Sequence, residues 1–232
     1  MLLLLLTICA ITAFTVAGSW YARVYNRTDG LVAAYVLFAA LSQIIASKIA
    51  TFDFGFIQVQ APAAVIIFAV TFLITDVVNE KFGRKEVYRM IYITLATQVA
   101  MMVFLYIGGH LPAAPFWTKQ GEWDSLLGVV PRITIASWIT FVVSENLDAY
   151  LFDWWRKRTG EKHLWVRNVF SSIPALTVDT VLFVTIAFAG TDLPLSSIMF
   201  GQFVVKYVVA VLNIPFMYLN RYVLGPRNPG VE

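Results

Sequence analysis

The stretch TFLITDVVNEKFGRKE, residues 71–86, sets the terms on which the rest of the chain is read. An apolar run that begins near Pro62 takes on Asp76, Asn79 and Glu80, then ends in Phe82-Gly83-Arg84-Lys85. At about 3.6 residues per turn these three polar residues stand at i, i+3 and i+4, so their side chains crowd one helix face just ahead of a basic turn. A soluble core helix rarely ends this way. Composition identifies the surroundings: 59% of the 232 residues are hydrophobic and 13% charged, against about 25% charged in an ordinary soluble domain. Mean hydropathy is +0.73. Apolar runs able to cross a hydrocarbon layer of about 30 Å recur along nearly the whole chain, which leaves no segment for a separate soluble domain. The expectation is an all-α integral membrane protein, one polytopic helical bundle.

Working outward from residues 71–86, the helix that they close opens at Pro62, a residue suited to the first helical position, and stops at Gly83. Ahead of it, TFDFGFIQVQ (51–60) alternates around Gly55 and predicts a short extended hairpin. Before that lie a Leu-rich first helix over about 1–18 and a second from about Gly30 to Ile49 that carries Ser42, Gln43, Ser47 and Lys48. The first run has no Lys or Arg ahead of it, unlike a secretory signal. Beyond the central stretch come helices over about 86–109, Pro131 to Trp155, 168–189 and 197–222. The 110–130 connection, aromatic and proline-rich, reads as an irregular interface loop or lid. This gives seven helices: 1–29 as an N-terminal helix with its connection, 30–222 as the core, 223–232 as a tail.

Lys and Arg concentrate at 81–89, 156–167 and the C-terminal tail, whereas 52–60, 110–130 and 190–196 hold only Lys119. The basic set is expected in the cytoplasm, with the N-terminus outside and the C-terminus inside. The net charge of +3 is thus an orientation signal and not a nucleic-acid footprint. Cys9 is the one cysteine, which excludes an internal disulfide and a cysteine-based metal site.

An ionisable group near the bilayer midplane costs roughly 2.5–3.5 kcal/mol, so it is paired or lies in a wet cavity. Asp179 falls roughly 16 Å from the inner end of its helix and Lys206 roughly 13 Å from the outer end of the next, at about 1.5 Å per residue. In antiparallel neighbours these depths coincide and an ion pair is allowed. Thr134, Ser137, Ser144, Glu145 and Asp148 form a polar stripe on the helix over 131–155, and Gln202, Lys206 and Asn213 share one face of the last helix. Glu145 beside Asn146 could accept from and donate to a base edge. Gln43, a turn deeper than Lys48, is a better ligand candidate than that lysine. Asp148, Asn79 and Glu80 lie nearer the cytoplasm, where a solvated or snorkelling side chain is the ordinary expectation. Asp76 is deep enough to border an inward-facing site or gate, and Asn79 and Glu80 are expected to lock their helix to the basic loop, through Arg84, Lys85 or a residue of the 156–167 connection.

Motif chemistry points away from catalysis. The chain contains no GxxxxGK[ST], GxSxG, HExxH or GxGD sequence. Asp76 with Asp179 or Glu145 is the acid–base set an intramembrane enzyme would have to use, and nothing local to either aspartate supports it. Neither an enzyme nor a cofactor or metal is expected.

ASKI (46–49), TFLITDVVNEKFGRKEVYR (71–89), LDAYLFDWWR (147–156), KHLWVRNVFSS (162–172), VDTVLFVTIAF (178–188) and the helix from Lys206 to Pro215 resemble the vitamin uptake transporter family, also described as queuosine precursor transporters. The resemblance covers roughly residues 35–220 with motif order kept. It implies a six-helix core similar to the substrate-binding components of energy-coupling-factor transporters, with an added N-terminal helix, importing 7-deazaguanines such as 7-cyano-7-deazaguanine. By resemblance Lys48, Asp76, Glu80, Asp179 and Lys206 fall on motif positions, and Asp148 matches the aspartate after the polar pair of the 131–155 helix. Relatives commonly carry Asn near Gln43 and a polar pair where this chain has Ala175-Leu176.

The expected function is import of a small nucleobase-like molecule through a prokaryotic inner membrane, with Gln43, Glu145, Asn146, Asp179 and Lys206 binding substrate. Lys48, Asp76, Asn79, Glu80, Asp148, Gln202 and Asn213 are expected to serve gating or structure. The alternatives are a vitamin-binding subunit of a separate ATPase module, an intramembrane enzyme, or a scaffold whose charges are merely paired. Expected partners are the substrate and the lipid bilayer, with a homo-oligomer allowed and nucleic acid excluded.

Overall fold

An apolar core threaded with many buried polar side chains forms the interior of this protein, and large apolar side chains also cover much of its outside. The computed structural model describes residues 2–55, 57–128, 130–160, 163–190 and 193–225, so Lys162 and the tail beyond Gly225 lie outside the described residues. The elements are α1 (Leu2–Tyr25), α2 (Asp29–Ile45), β1 (Ile49–Asp53), β2 (Gln58–Pro62), α3 (Val65–Phe82), α4 (Arg84–His110), α5 (Gln120–Gly128), α6 (Val130–Thr159), α7 (Leu164–Phe188) and α8 (Leu195–Leu224). Four apolar stretches among the described residues are long enough to cross a membrane, ending with α4, α6, α7 and α8. Thr94 and Gln98 on α4 are buried while Phe104 on its outer side is 72% exposed. That distribution suits a lipid solvent, in which apolar surface needs no covering and polar groups must be satisfied internally.

The helix ends are set by local chemistry. Between α3 and α4, Gly83 takes φ 83°, a conformation that favours glycine, and its N–H donates to the Asn79 carbonyl at 3.1 Å. Pro62 does not open α3; it is the last residue of β2, opposite Ile49, and α3 begins three residues later. A strand end tolerates a residue with no N–H to give. The hairpin also takes Ile49 and Ala50 from the expected second helix, so α2 stops at Ile45 and Lys48 falls in the exposed turn after it. The 110–130 connection is not wholly irregular, since it contains α5.

The hairpin turn is tied by Asp53, whose Oδ1 accepts from the Gly55 N–H at 2.8 Å and Oδ2 from Gln58 Nε2 at 2.9 Å. These bonds hold the Asp53 carboxyl below its ordinary value of 3.8. A lowered value stabilises the turn fully above the ordinary carboxylate range and loses that contribution as pH falls through the folded value. Hydrogen exchange at Gly55, corrected for intrinsic rate, is therefore expected to accelerate below about pH 4, and Asp53→Asn should flatten this dependence.

Strand β2 lies directly on α8. A Cβ added at Gly201 would stand 2.0 Å from the Gln60 carbonyl oxygen, so the two backbones meet at a distance only glycine permits. At the opposite end of the bundle, the last turn of α3 is wired to three other helices. Arg156 of α6 donates to the Asn79 carbonyl at 3.0 Å and also pairs with Asp153. Arg167 of α7, fully buried, binds Glu80 at 2.9 Å and the Gly160 carbonyl at 2.8 Å. Lys81 donates to the Leu224 carbonyl of α8 at 2.8 Å. Of the partners expected for Asn79 and Glu80, it is the 156–167 segment that supplies them, through Arg156 and Arg167; both residues, and Asp148 with them, are buried and not solvated.

Candidate functional site: a polar cleft between five helices

Near the hairpin end, α2, α3, α6, α7 and α8 line a narrow cleft that is open at one side. Its wall is completed by Pro62 of β2. The positions follow from helix lengths. Gln43 is two residues from the end of α2, Phe183 five from the end of α7, and Lys206 eleven residues into α8, which places the floor about 16 Å inside the bundle.

The floor is an ion pair. Lys206 Nζ donates to Asp179 Oδ2 and, at 3.0 Å, to Thr180 Oγ1, while Ser144 Oγ donates to Asp179 Oδ1 at 3.2 Å. Both charged side chains are nearly fully enclosed. The additional hydrogen bonds are what make such a pair tenable away from water. Above it stand two carboxamides. Gln43 Nε2 donates to Ser137 Oγ at 2.8 Å and its Oε1 has no partner; Gln202 Nε2 also has none. Phe68 and Phe183 form apolar walls, and Lys206 Nζ lies 5.9 Å from the Phe68 ring centroid. A buried acceptor and a buried donor left unmatched, beside a charge pair and two flat rings, form a site suited to a planar molecule with its own donors and acceptors.

Of the residues singled out from sequence, Gln43, Asp179, Lys206 and Gln202 meet in this cleft. Glu145 and Asn146 do not line it. Glu145 is buried between α3 and α6, where it accepts from Thr71 Oγ1 at 2.8 Å and Thr75 Oγ1 at 2.7 Å. Asn146 is half-buried and its amide bonds the Val142 carbonyl of its own helix at 2.6 Å. Neighbours on a helix point about 100° apart, so one cleft rarely receives both. Lys48 is exposed, and Asn213 borders a separate crevice between α1, α3 and α8. Asp76 and Asp148 lie deeper, with Asn79 and Glu80 beyond them. Phe68 and Phe183 were not legible as site residues, although Phe183 stands one turn from Asp179 on the same helix face.

The profile of the family described as "Putative vitamin uptake transporter" matches residues 62–220, well over half of the chain. The chain belongs to the vitamin uptake transporter family. It is a transporter and not an enzyme, and a multi-pass membrane protein. A protein of Bacillus subtilis (strain 168) described as "Probable queuosine precursor transporter" is 26% identical over 157 residues, covering 66% of this chain and 68% of that one. No solved structure matches. The segment shared with the family carries Phe68, Ser137, Asp179, Phe183, Gln202 and Lys206, so most of the cleft lies within it, whereas Gln43 lies before it.

Proposed function

We propose that this protein imports a flat, polar, nucleobase-like compound, a 7-deazaguanine such as 7-cyano-7-deazaguanine, across a prokaryotic cytoplasmic membrane. The observation that carries this reading is the pair of half-satisfied carboxamides facing the cleft, Gln43 Oε1 and Gln202 Nε2, next to the Asp179–Lys206 pair. A deazaguanine edge presents N–H groups to an acceptor such as Gln43 Oε1 or Asp179 and a carbonyl to a donor such as Gln202 Nε2 or Lys206. Phe68 and Phe183 line the cleft and offer aromatic faces to its ring, and stacking of a base on an aromatic ring is worth about 1–3 kcal/mol. The relative from Bacillus subtilis supports the substrate class by its description.

In this reading the seven helices other than α5 cross the bilayer, with the N-terminus outside and the C-terminus cytoplasmic, as the basic connections direct. The cleft then opens outward beneath the hairpin, and α2–α4 with α6–α8 form the six-helix core resembling the energy-coupling-factor components. The test is uptake of labelled 7-cyano-7-deazaguanine into cells that lack their own route. Expression is expected to give accumulation of label recovered unchanged, and Gln43→Leu to weaken uptake about tenfold, since one hydrogen bond to a buried group contributes about 1–1.5 kcal/mol. Absence of uptake, together with no thermal shift of purified protein by any deazapurine, overturns the assignment.

A further inference from the structure

Deeper than the cleft, toward the junction of α3 and α4, three carboxyl groups are completely buried: Asp76 on α3, with Glu145 and Asp148 on α6. Their surroundings differ. Each oxygen of Glu145 receives a threonine hydroxyl. Asp76 Oδ2 accepts from Asn168 Nδ2; among the described residues Asp76 Oδ1 and both oxygens of Asp148 make no well-formed hydrogen bond, and the Ser171 and Ser172 hydroxyls of α7 are the donors standing nearest Asp148. Thr75 and Asn79, on either side of Asp76, reach α6 at Glu145 and at the Ala149 carbonyl, 2.7 and 3.1 Å, so Asp76 stands against the turn of α6 that carries Asp148. Ionised carboxylates can only accept. Two of them on facing turns, shut away from water, would therefore combine unmatched acceptors with like-charge repulsion. A single proton removes both problems, because the neutral acid donates to the oxygen of its ionised neighbour.

The rest of the environment does not supply the missing positive charge. Around the pair stand Tyr35 of α2, Glu80 of α3, Glu145 of α6 and Arg167 of α7, with Asp179 of α7 beyond Glu145. Arg167 attracts Asp76 at longer range, but its N–H groups bind Glu80 and the Gly160 carbonyl. Lys206 is held by Asp179 and Thr180. Among the described residues no three acidic, histidine or cysteine side chains come together as a metal shell. Ser172 Oγ, buried without a partner, lies beside Asp148 and can donate to whichever carboxylate is ionised.

We propose that Asp76 and Asp148 form a proton-binding site and that a proton taken up there accompanies substrate across the membrane. This rests on the transport reading above. The link to the cleft is α6 itself. Ser137, Thr140, Ser144 and Asp148 recur at three and four residues along one face, the first two lining the cleft and Ser144 bonding Asp179. A movement of α6 that rearranges the cleft thus also moves one half of the acid pair. Loss of the proton leaves two anions that must separate or be hydrated, so release and opening toward that end occur together.

Two measurements test this. The first is infrared difference spectroscopy of ligand-free protein in lipid, titrated with acid and base. A protonated-carboxyl band is expected at neutral pH in the wild type, lost in both Asp76→Asn and Asp148→Asn and kept in Asp179→Asn. The second is uptake of labelled 7-cyano-7-deazaguanine into proteoliposomes. A pH gradient acid on the outside is expected to raise accumulation at least tenfold in the wild type, and Asp148→Asn to abolish that gain while retaining exchange at equal pH. The near-isosteric Asn variants keep the shape of the pair and mimic its neutral form, and thermal unfolding checks that each is folded. A band indifferent to both aspartates, or one displaced by sodium at fixed pH, overturns the proton site. A wild type that shows the band but takes up no 7-cyano-7-deazaguanine keeps the site and overturns the substrate instead.

Discussion

Lys206→Met is expected to reduce uptake of 7-cyano-7-deazaguanine at least a hundredfold and to lower thermal stability. The methionine fills the lysine's space but leaves Asp179, itself nearly fully enclosed, with Ser144 as its one side-chain donor among the described residues. Removing one member of a buried pair costs about 3–5 kcal/mol because the other charge stays behind unmatched. The double variant Lys206→Met/Asp179→Asn removes both charges, so it is expected to recover most of the lost stability. It should not recover uptake, because the donor and acceptor at the cleft floor are gone. A Lys206→Met protein with normal uptake would make the pair a structural clasp only.

Gly201→Val is expected to lift the hairpin off α8. With the Cβ only 2.0 Å from the Gln60 carbonyl oxygen, and that oxygen belonging to backbone, neither side can yield by a rotamer change. Overpacking of this kind costs typically about 1–3 kcal/mol. The displacement also carries away Pro62 and disturbs Gln202, both of which line the cleft, so affinity for 7-cyano-7-deazaguanine should fall about tenfold or more. Calorimetry on the purified variant reads this effect. Gly121→Ala, at a glycine with open space around it, is expected to leave both binding and stability close to wild type.

The helices were legible because in lipid a span must be long and apolar, and because Gly83 and the charged connections mark where spans stop. The shared depth of Asp179 and Lys206 was legible too, since depth along antiparallel helices can be counted from residue numbers, but not that their faces meet. What could not be read was rotation. Glu145 and Asn146 are adjacent in sequence and look like one recognition unit, yet they point to different neighbours. A lock between Asn79, Glu80 and the 156–167 segment was legible, but not its burial, because Arg156 and Arg167, placed in a basic connection from sequence, instead extend α6 and lie in the first turn of α7. Phe68 and Phe183 are two of 18 phenylalanines, and only packing distinguishes a cleft wall from a lipid-facing ring. The short helix α5 sits in a loop whose prolines and tryptophans mask nine residues of regular structure.

The two ends of the bundle are unequally fastened. At one, α3 is laced to α6, α7 and α8 through Asn79, Glu80 and Lys81. At the other, the side-chain bond joining α2 to α6 across the cleft is that of Gln43 with Ser137, a link that a competing ligand edge can replace. Arg132 of α6, on the Ile186 and Ala189 carbonyls of α7, also fastens the mouth end, but it spans no part of the cleft between α2 and α6. Admitting a ligand beneath the hairpin therefore asks one exchangeable bond to yield, whereas an exit on the α3–α4 side asks for three helices to be unlaced.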